Sequence, residues 1–422
     1  MSTTHTAFKT PVLQPILRTS SSFESFHSLS LDSVNGSDDP DIAVTEEGVR
    51  HIDISLDPKQ YKQAAFVEQI ALLLTSLGIP SWKAVSPVNH ADLSVEKVSG
   101  SLTNAVYFVH HPNARTLLLR IYGAASGSLI SRPRELHTLH VLSSRYKFGP
   151  RVHGTFENGR LEEYFESVPL TASELRDPTT SQFIGARMAE LHRVDIESVE
   201  DPGWDIGINQ NIRGWVHHAR KVISLVDSST REELDLDAFI KLWERYWNWI
   251  RKWETQYGAS ERVFAHNDAQ YGNLLRLVNP SASRPPHQQI IVVDFEYASP
   301  NPAAFDIANH FHEWTANYHS DTPYHLDPAL YPTYAQRRNF YIAYLQHVLT
   351  GPRDPVEGEL AMLDLQVRVW SPASHAMWAI WGIVQARESV ESGDPDISEF
   401  DYLAYAKGRM AGFKREVAAL GV

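Results

Sequence analysis

Two apolar, strand-like segments, VFAHND (263–268) and IIVVDFEY (290–297), interrupt a half of the chain that otherwise reads as helix, and each runs into an aspartate. Helical spacing is expected over 178–193, 231–257, 334–349, 359–390 and 399–420. The chain before residue 166 has the opposite character. A helix over 61–77 stops at Gly78 with Pro80 just beyond. Strands follow at 92–98, 104–111 and 115–122, then a helix at 131–144 and strands at 151–157 and 160–165. Strands first and helices after predict an α+β protein with two lobes, the two segments forming a compact strand pair inside the second. The expected division is a tail over 1–47, a first lobe over 48–165 and a second over 166–422. The tail, densest in SSSFESFHSLSLDSVNGSDDPD, has too little apolar surface to offset chain entropy and is expected to be largely disordered.

Composition removes several alternatives. The formal charge of −13 argues against a nucleic-acid binder, which needs a basic footprint, and is compatible with a cationic small-molecule ligand. With no cysteine there is no disulfide, thiolate metal site or cysteine nucleophile. No apolar run is long enough for a membrane span, and the N-terminus lacks a basic start followed by an apolar block. A cytoplasmic location is the expectation.

The densest chemical signal is His266-Asn267-Asp268-Ala269-Gln270-Tyr271-Gly272-Asn273, with Asp294 after the second apolar segment. Phosphoryl transfer needs a carboxylate to orient an attacking hydroxyl and accept its proton, and oxygen ligands to hold magnesium against nucleotide phosphates. Asp268 suits the first task, Asn273 and Asp294 the second. Either aspartate alone is better explained as a loop cap; their order, spacing and strand context together favour chemistry.

His-Asn-Asp-x-x-x-x-Asn followed by Val293-Asp294-Phe295-Glu296-Tyr297 resembles the signature of choline/ethanolamine kinases, which share a two-lobed fold with protein kinases and antibiotic phosphotransferases. The run Asn301–Trp314 and the run Ser374–Ala386 continue the likeness, which extends from about residue 92 to 410. The resemblance implies a strand-rich N-lobe, a helical C-lobe, Asp268 as catalytic base, Asn273 and Asp294 as Mg2+ ligands, Gln270 beside the phosphates and ATP as co-substrate. It also assigns Gly100, Ser101, Thr103 and Asn104 to the phosphate-covering turn, where Ser101 departs from the family's more usual second glycine. Arg120 takes the place of the strand basic residue that reaches the phosphates, with Glu135 as its expected partner, and Phe165 falls where the adenine ring should sit. Members of the family are often dimers, so a homodimer is expected.

A small cationic alcohol donates few or no hydrogen bonds, so aromatic faces beside a carboxylate are a physical way to bind it. Trp378 and Trp381 share a helix face, and the resemblance places Tyr297, Tyr318, Tyr402 and the carboxylate of Glu313 around the same pocket. Asp306 is expected to bond backbone near the catalytic loop. Trp243, Trp247, Trp249 and Trp253 are expected to pack. Neither His310 with His312 nor His217 with His218 has the spacing of a zinc site. Gln270, Gly272 and Asp-Phe-Glu-Tyr look more like the choline branch. Ethanolamine is the near alternative, an aminoglycoside or amino-sugar kinase a further one, and a catalytically inactive kinase-like binding protein the most remote.

Overall fold

In the computed structural model, which describes residues 43–45, 47–98, 104–123, 131–348, 353–393 and 400–422, two compact units divide between Phe165 and Glu166. The turn residues Gly100, Ser101 and Thr103, and nearly all of the tail, lie outside the described residues. Part of the stretch expected to be disordered is ordered: Ala43–Val44 forms β1 and pairs with β2 (Arg50–Ile52).

The rest of the first unit contains α1 (Ala64–Leu77), β3 (Ser94–Val98), β4 (Asn104–His111), β5 (Ala114–Tyr122), α2 (Arg132–Val141), β6 (Val152–Phe156) and β7 (Gly159–Glu163). Its seven-stranded sheet runs β1-β2-β6-β7-β5-β4-β3, antiparallel except where β2 meets β6. Helix α1 ends on Gly78, whose left-handed φ of 57° lets its N–H reach the carbonyls of Leu74 and Thr75. Its apolar stripe, Phe66, Ile70, Leu73, Leu74 and Leu77, packs on Tyr107, Val109, Leu117, Leu119 and Ile121 from one face of β4 and β5.

The opposite face carries charge. The register sets Arg120 on β5 opposite Arg160 on β7, so two guanidinium groups share the acids Glu135 and Glu162. Glu135, expected beside Arg120, takes direct bonds from Arg160 Nη2 (2.7 Å) and Arg132 Nη1 (2.7 Å). Arg120 lies 3.5 Å from Glu162 and acts on Glu135 through its charge. Burial would raise the Glu135 carboxyl; the guanidinium groups outweigh it and hold it at about 2, below its ordinary 4.5. A lowered carboxyl stabilises the fold above its unfolded value and loses that contribution as pH falls toward the folded one. The contribution at neutral pH is on the order of 3 kcal/mol. Glu135→Gln should therefore reduce stability at pH 7 and flatten its decline in acid, as measured by urea unfolding at pH 7 and at pH values stepped from 5 down toward 2. An unchanged pH dependence would rule this out.

The second unit contains β8 (Ser167–Pro169), α3 (Pro178–His192), α4 (Gly207–Leu225), α5 (Ser228–Leu234), α6 (Leu236–Tyr257), β9 (Arg262–Ala265), β10 (Leu274–Leu277), β11 (Ile290–Val292), β12 (Ser299–Pro302), α7 (Ala303–Glu313), α8 (Tyr334–Val348), α9 (Glu357–Gln385), α10 (Arg387–Ser392) and α11 (Tyr402–Ala419). Helix α9 is its spine, packing on α4, α7 and α11. The helix expected over 231–257 is two, because Asp235 adopts φ 34° and its side chain caps α6 by accepting from Ala238 N–H. The expected strand pair is corrected as well. β9 pairs with β12 and β11 with β10, in separate antiparallel ladders, so the two apolar segments do not pair with each other. The partner β12 reads Ser-Pro-Asn-Pro; its prolines cannot donate, which suits an edge strand and hides it from a propensity argument. Trp243 is core, stacking on Trp247 with 5.5 Å between ring centroids. Among the described residues no helix is long and apolar enough to cross a membrane.

Candidate active site

The loop from His266 to Asn273 joins β9 to β10, and side chains from α7 hold its backbone at His266, Asn267 and Ala269. That helix is buried over its whole length, yet four polar residues, Asp306, Asn309, His310 and Glu313, recur at i, i+3, i+4 and i+7 and make one stripe. Asp306 accepts from the backbone N–H of His266 (2.9 Å) and Asn267 (2.7 Å). His192 Nε2 donates to the same carboxylate (2.9 Å), and Tyr344 backs the other ring nitrogen (2.8 Å). Burial would raise the Asp306 carboxyl, but the His192 bond and charge keep it below its usual range. The expected backbone role of Asp306 is the one seen.

Asn267 needs that support because its φ is 65°, a left-handed conformation that asparagine tolerates better than most residues. Its Nδ2 donates to Tyr297 O (2.8 Å) and Ser299 Oγ (2.7 Å), and its Oδ1 accepts from Asn301 (2.9 Å). Asn309 Nδ2 donates to the Asn267 carbonyl (2.9 Å), and His310 Nδ1 to that of Ala269 (2.8 Å). Burial keeps His310 neutral, with its pKa lowered to about 4.

Asp268 follows, half-buried. Its N–H donates to His266 Nδ1 (3.2 Å), while His266 Nε2 donates to Val293 O (3.0 Å), which fixes the imidazole as the neutral Nε2–H form. Asn273 Nδ2 donates to both the carbonyl and the Oδ2 of Asp268, each at 2.9 Å. Burial, then the charges of Glu313, Asp294 and Glu296, push the Asp268 carboxyl well above its usual range. The ladder that sets Leu274 opposite Val292 continues as Val293 N–H to Asn273 O (3.0 Å), so Asn273 and Asp294 lie at the same end of neighbouring strands. Asp294 has a φ of 67°. Gln270, expected beside phosphates, uses Oε1 to accept from Gly272 N–H (2.7 Å) and shapes the turn.

These donors fit a hard cation. With Asn273 Nδ2 committed to two acceptors, Oδ1 is the atom left to ligate, and the Asp294 carboxylate supplies a second oxygen.

Beside the loop, aromatic rings meet edge to face: Tyr297 with Trp378 (5.4 Å, 70°), Trp378 with Trp381 (5.2 Å, 77°) and Trp381 with Tyr402 (5.6 Å, 72°). Both indole N–H groups are already used, Trp378 Nε1 by Asn309 Oδ1 (2.7 Å) and Trp381 Nε1 by Tyr297 Oη (2.7 Å). Phe400 connects Tyr402 (5.0 Å) to Tyr318 (6.3 Å). Glu313 accepts from Tyr318 Oη (2.7 Å) and from Arg409 Nη2 (3.0 Å). The carboxylate expected among the aromatics is therefore present, but in a buried ion pair.

Sequence reasoning did not assign functional roles to His192, Asn301, Asn309, Phe400 and Arg409. Asn309 was detectable as part of the polar stripe in a buried helix; the others act across long separations. In the first unit, Asn104 is buried and lies 3.4 Å from Arg132 Nη2, and Phe165 is half-buried at the unit's last residue.

The family model described as choline/ethanolamine kinase matches residues 95–414. The chain belongs to the choline/ethanolamine kinase family. A protein named choline kinase from Schizosaccharomyces pombe is 33% identical over 416 residues, covering 85% of this chain and 90% of the relative. A human protein named choline/ethanolamine kinase is 33% identical over 342 residues, covering 78% and 80%. Among solved structures, one titled as a choline kinase from Cryptosporidium parvum Iowa II aligns with a TM-score of 0.66 at 24% identity, covering 84% of this chain and 96% of that one. That likeness establishes the kinase-like fold expected of the family. Membership makes the protein an enzyme, a kinase with ATP as co-substrate.

Proposed function

We propose that the protein transfers the γ-phosphoryl group of ATP to the hydroxyl of choline, giving phosphocholine and ADP for phospholipid headgroup synthesis. The observation that carries this reading is a carboxylate, Asp268, oriented by Asn273 within the same unit as a cluster of aromatics whose two indole N–H groups are already bonded. Asp268 accepts a hydrogen bond from the choline hydroxyl, aligns its oxygen and takes its proton as the oxygen–phosphorus bond forms. Asn273 and Asp294 would hold Mg2+, which when bound neutralises phosphate charge. On the nucleotide side, the proposal assigns Gly100, Ser101, Thr103, Asn104, Arg120, Gln270 and Phe165 to ATP, with Glu135 ordering the arginines.

Ethanolamine is a second reading, since the human relative's name includes both alcohols. Its ammonium donates hydrogen bonds, whereas Glu313 and the Tyr297 hydroxyl already accept bonds within the protein. A trimethylammonium group needs only ring faces and negative potential. Choline should therefore give the higher kcat/KM when the two alcohols are compared, and a clear ethanolamine preference would reverse the choice. The same reading includes a homodimer in the cytoplasm; sedimentation of the purified protein as a monomer would remove the dimer.

Trp378 should act on choline affinity. Removing one face of a cation–π contact costs about 1–2 kcal/mol, so Trp378→Ala should raise the choline KM about tenfold with a smaller change in the KM for ATP. Trp378→Phe retains a ring face and should lose less. Equal effects on both Michaelis constants would assign Trp378 to packing alone.

A further inference from the structure

Three helices bring together a second group of metal-ligating side chains, His312 on α7, His375 on α9 and Glu416 on α11, away from the catalytic loop. One ligand atom from each lies within 4.8 Å of the others. The two imidazole centroids are 4.1 Å apart, and Glu416 Oε1 lies 3.5 Å from His375 Nε2 and 3.9 Å from His312 Nε2. His310 and His312 point to different partners, as their i, i+2 spacing requires; His312 finds its companions on other helices.

The decisive feature is His375. It is 4% exposed, and neither ring nitrogen has a hydrogen-bond partner among the described residues. A buried imidazole with both its N–H and its lone pair unmet carries the full desolvation cost of those groups with nothing to offset it. Space on α11 is kept for the ring by Gly412, where a Cβ would stand 2.6 Å from His375 Cε1. Around it, Ser371 Oγ donates to Glu416 Oε2 (2.8 Å) and accepts from His312 Nε2 (2.8 Å). Burial, with Arg409 nearby, keeps both imidazoles uncharged, the form that ligates a metal. Arg409 and Arg415 would oppose a cation, but Arg409 is paired to Glu313 and Glu416 adds a negative charge at the cluster.

We propose that His312, His375 and Glu416 form a binding site for a divalent transition metal, zinc by ligand type, distinct from the oxygen-donor magnesium site. Two imidazoles and one carboxylate suit zinc and leave a fourth position for the Ser371 hydroxyl or water. Binding replaces the His312–Ser371 hydrogen bond, moves the His312 proton from Nε2 to Nδ1 so that the neutral ring ligates through Nε2, and satisfies one His375 nitrogen. The metal joins α11, which carries Tyr402 and Arg409, to the helices carrying Glu313 and the two tryptophans. It would stabilise the acceptor side without entering the reaction.

The test uses the full chain, stripped with chelator and dialysed, then titrated calorimetrically with Zn2+ in the presence of excess Mg2+ and ATP. One zinc per chain should bind and raise the unfolding temperature. In Glu416→Gln and His375→Gln, affinity should fall by more than the ~10–100-fold that loss of a supporting contact costs, while Asn273→Ala retains it. Co2+ in place of Zn2+ should give the intense visible absorption of a tetrahedral site, a reading on the unaltered chain that decides the matter if the variants fail to fold. Absent binding, equal affinity in the Glu416 and His375 variants, loss of binding in Asn273→Ala, or the weak spectrum of octahedral cobalt would each overturn the proposal.

Discussion

Replacing Asp268 with asparagine should lower kcat by about 10²–10⁴-fold, leave the choline KM nearly unchanged, and raise the unfolding temperature in magnesium-free buffer. The first effect follows from removing the proton acceptor while keeping the side chain's shape. The third follows from electrostatics. The Asp268 carboxyl is pushed up by burial and by Glu313, Asp294 and Glu296. A carboxyl raised in the folded state contributes stability below its unfolded value and loses it as pH rises, so at neutral pH the charge weakens the fold. Asparagine removes the charge and retains an oxygen for the Asn273 bond. If Asp268 were only a loop cap, the same change would leave kcat within a few-fold of the parent and would not stabilise. Comparing kcat and thermal midpoint on one preparation separates the two accounts, and a destabilised variant of near-normal kcat would exclude the catalytic one.

Much of this loop was readable because its chemistry is local. Asp268, Asn273 and the strands on either side lie within one short stretch, and Gly78 after an apolar stripe announces the end of α1 as plainly as its φ of 57° does. Helix α4 was equally readable: Ile208, Ile212, Trp215, Ala219 and Val222 recur at helical spacing and are all buried, although the segment was not assigned. Strand pairing was not readable in the same way. Apolar runs report that β9 and β11 are buried, but not that β9 chooses a proline-containing edge strand and β11 chooses β10. The supports of Asn267 are less legible still, because Asn309 and Asp306 become partners only after α7 has docked, and Asn301 only after β12 has paired with β9. Periodicity records which face is covered; it does not name the hydrogen-bond acceptor on the covering element.

The Glu313–Arg409 pair shows how such a hidden partner changes a functional expectation, and it carries the second large predicted effect. Both side chains are essentially buried, at 2% and 0% exposure. Arg409→Met should destabilise the protein by about 3–5 kcal/mol, because Glu313 would remain as an uncompensated buried charge. The double variant Glu313→Gln/Arg409→Met should recover much of that loss, since neither charge is then left alone. Choline recognition should not recover with it. Glu313 bonds Tyr318 and interacts electrostatically with Asp268, so it presents the negative end of the pair to the acceptor side. In the double variant the choline KM should stay elevated while the KM for ATP stays near that of the parent. A double variant with restored stability and an unchanged choline KM would show that the pair only holds α7 to α11, leaving cation binding to the aromatic faces.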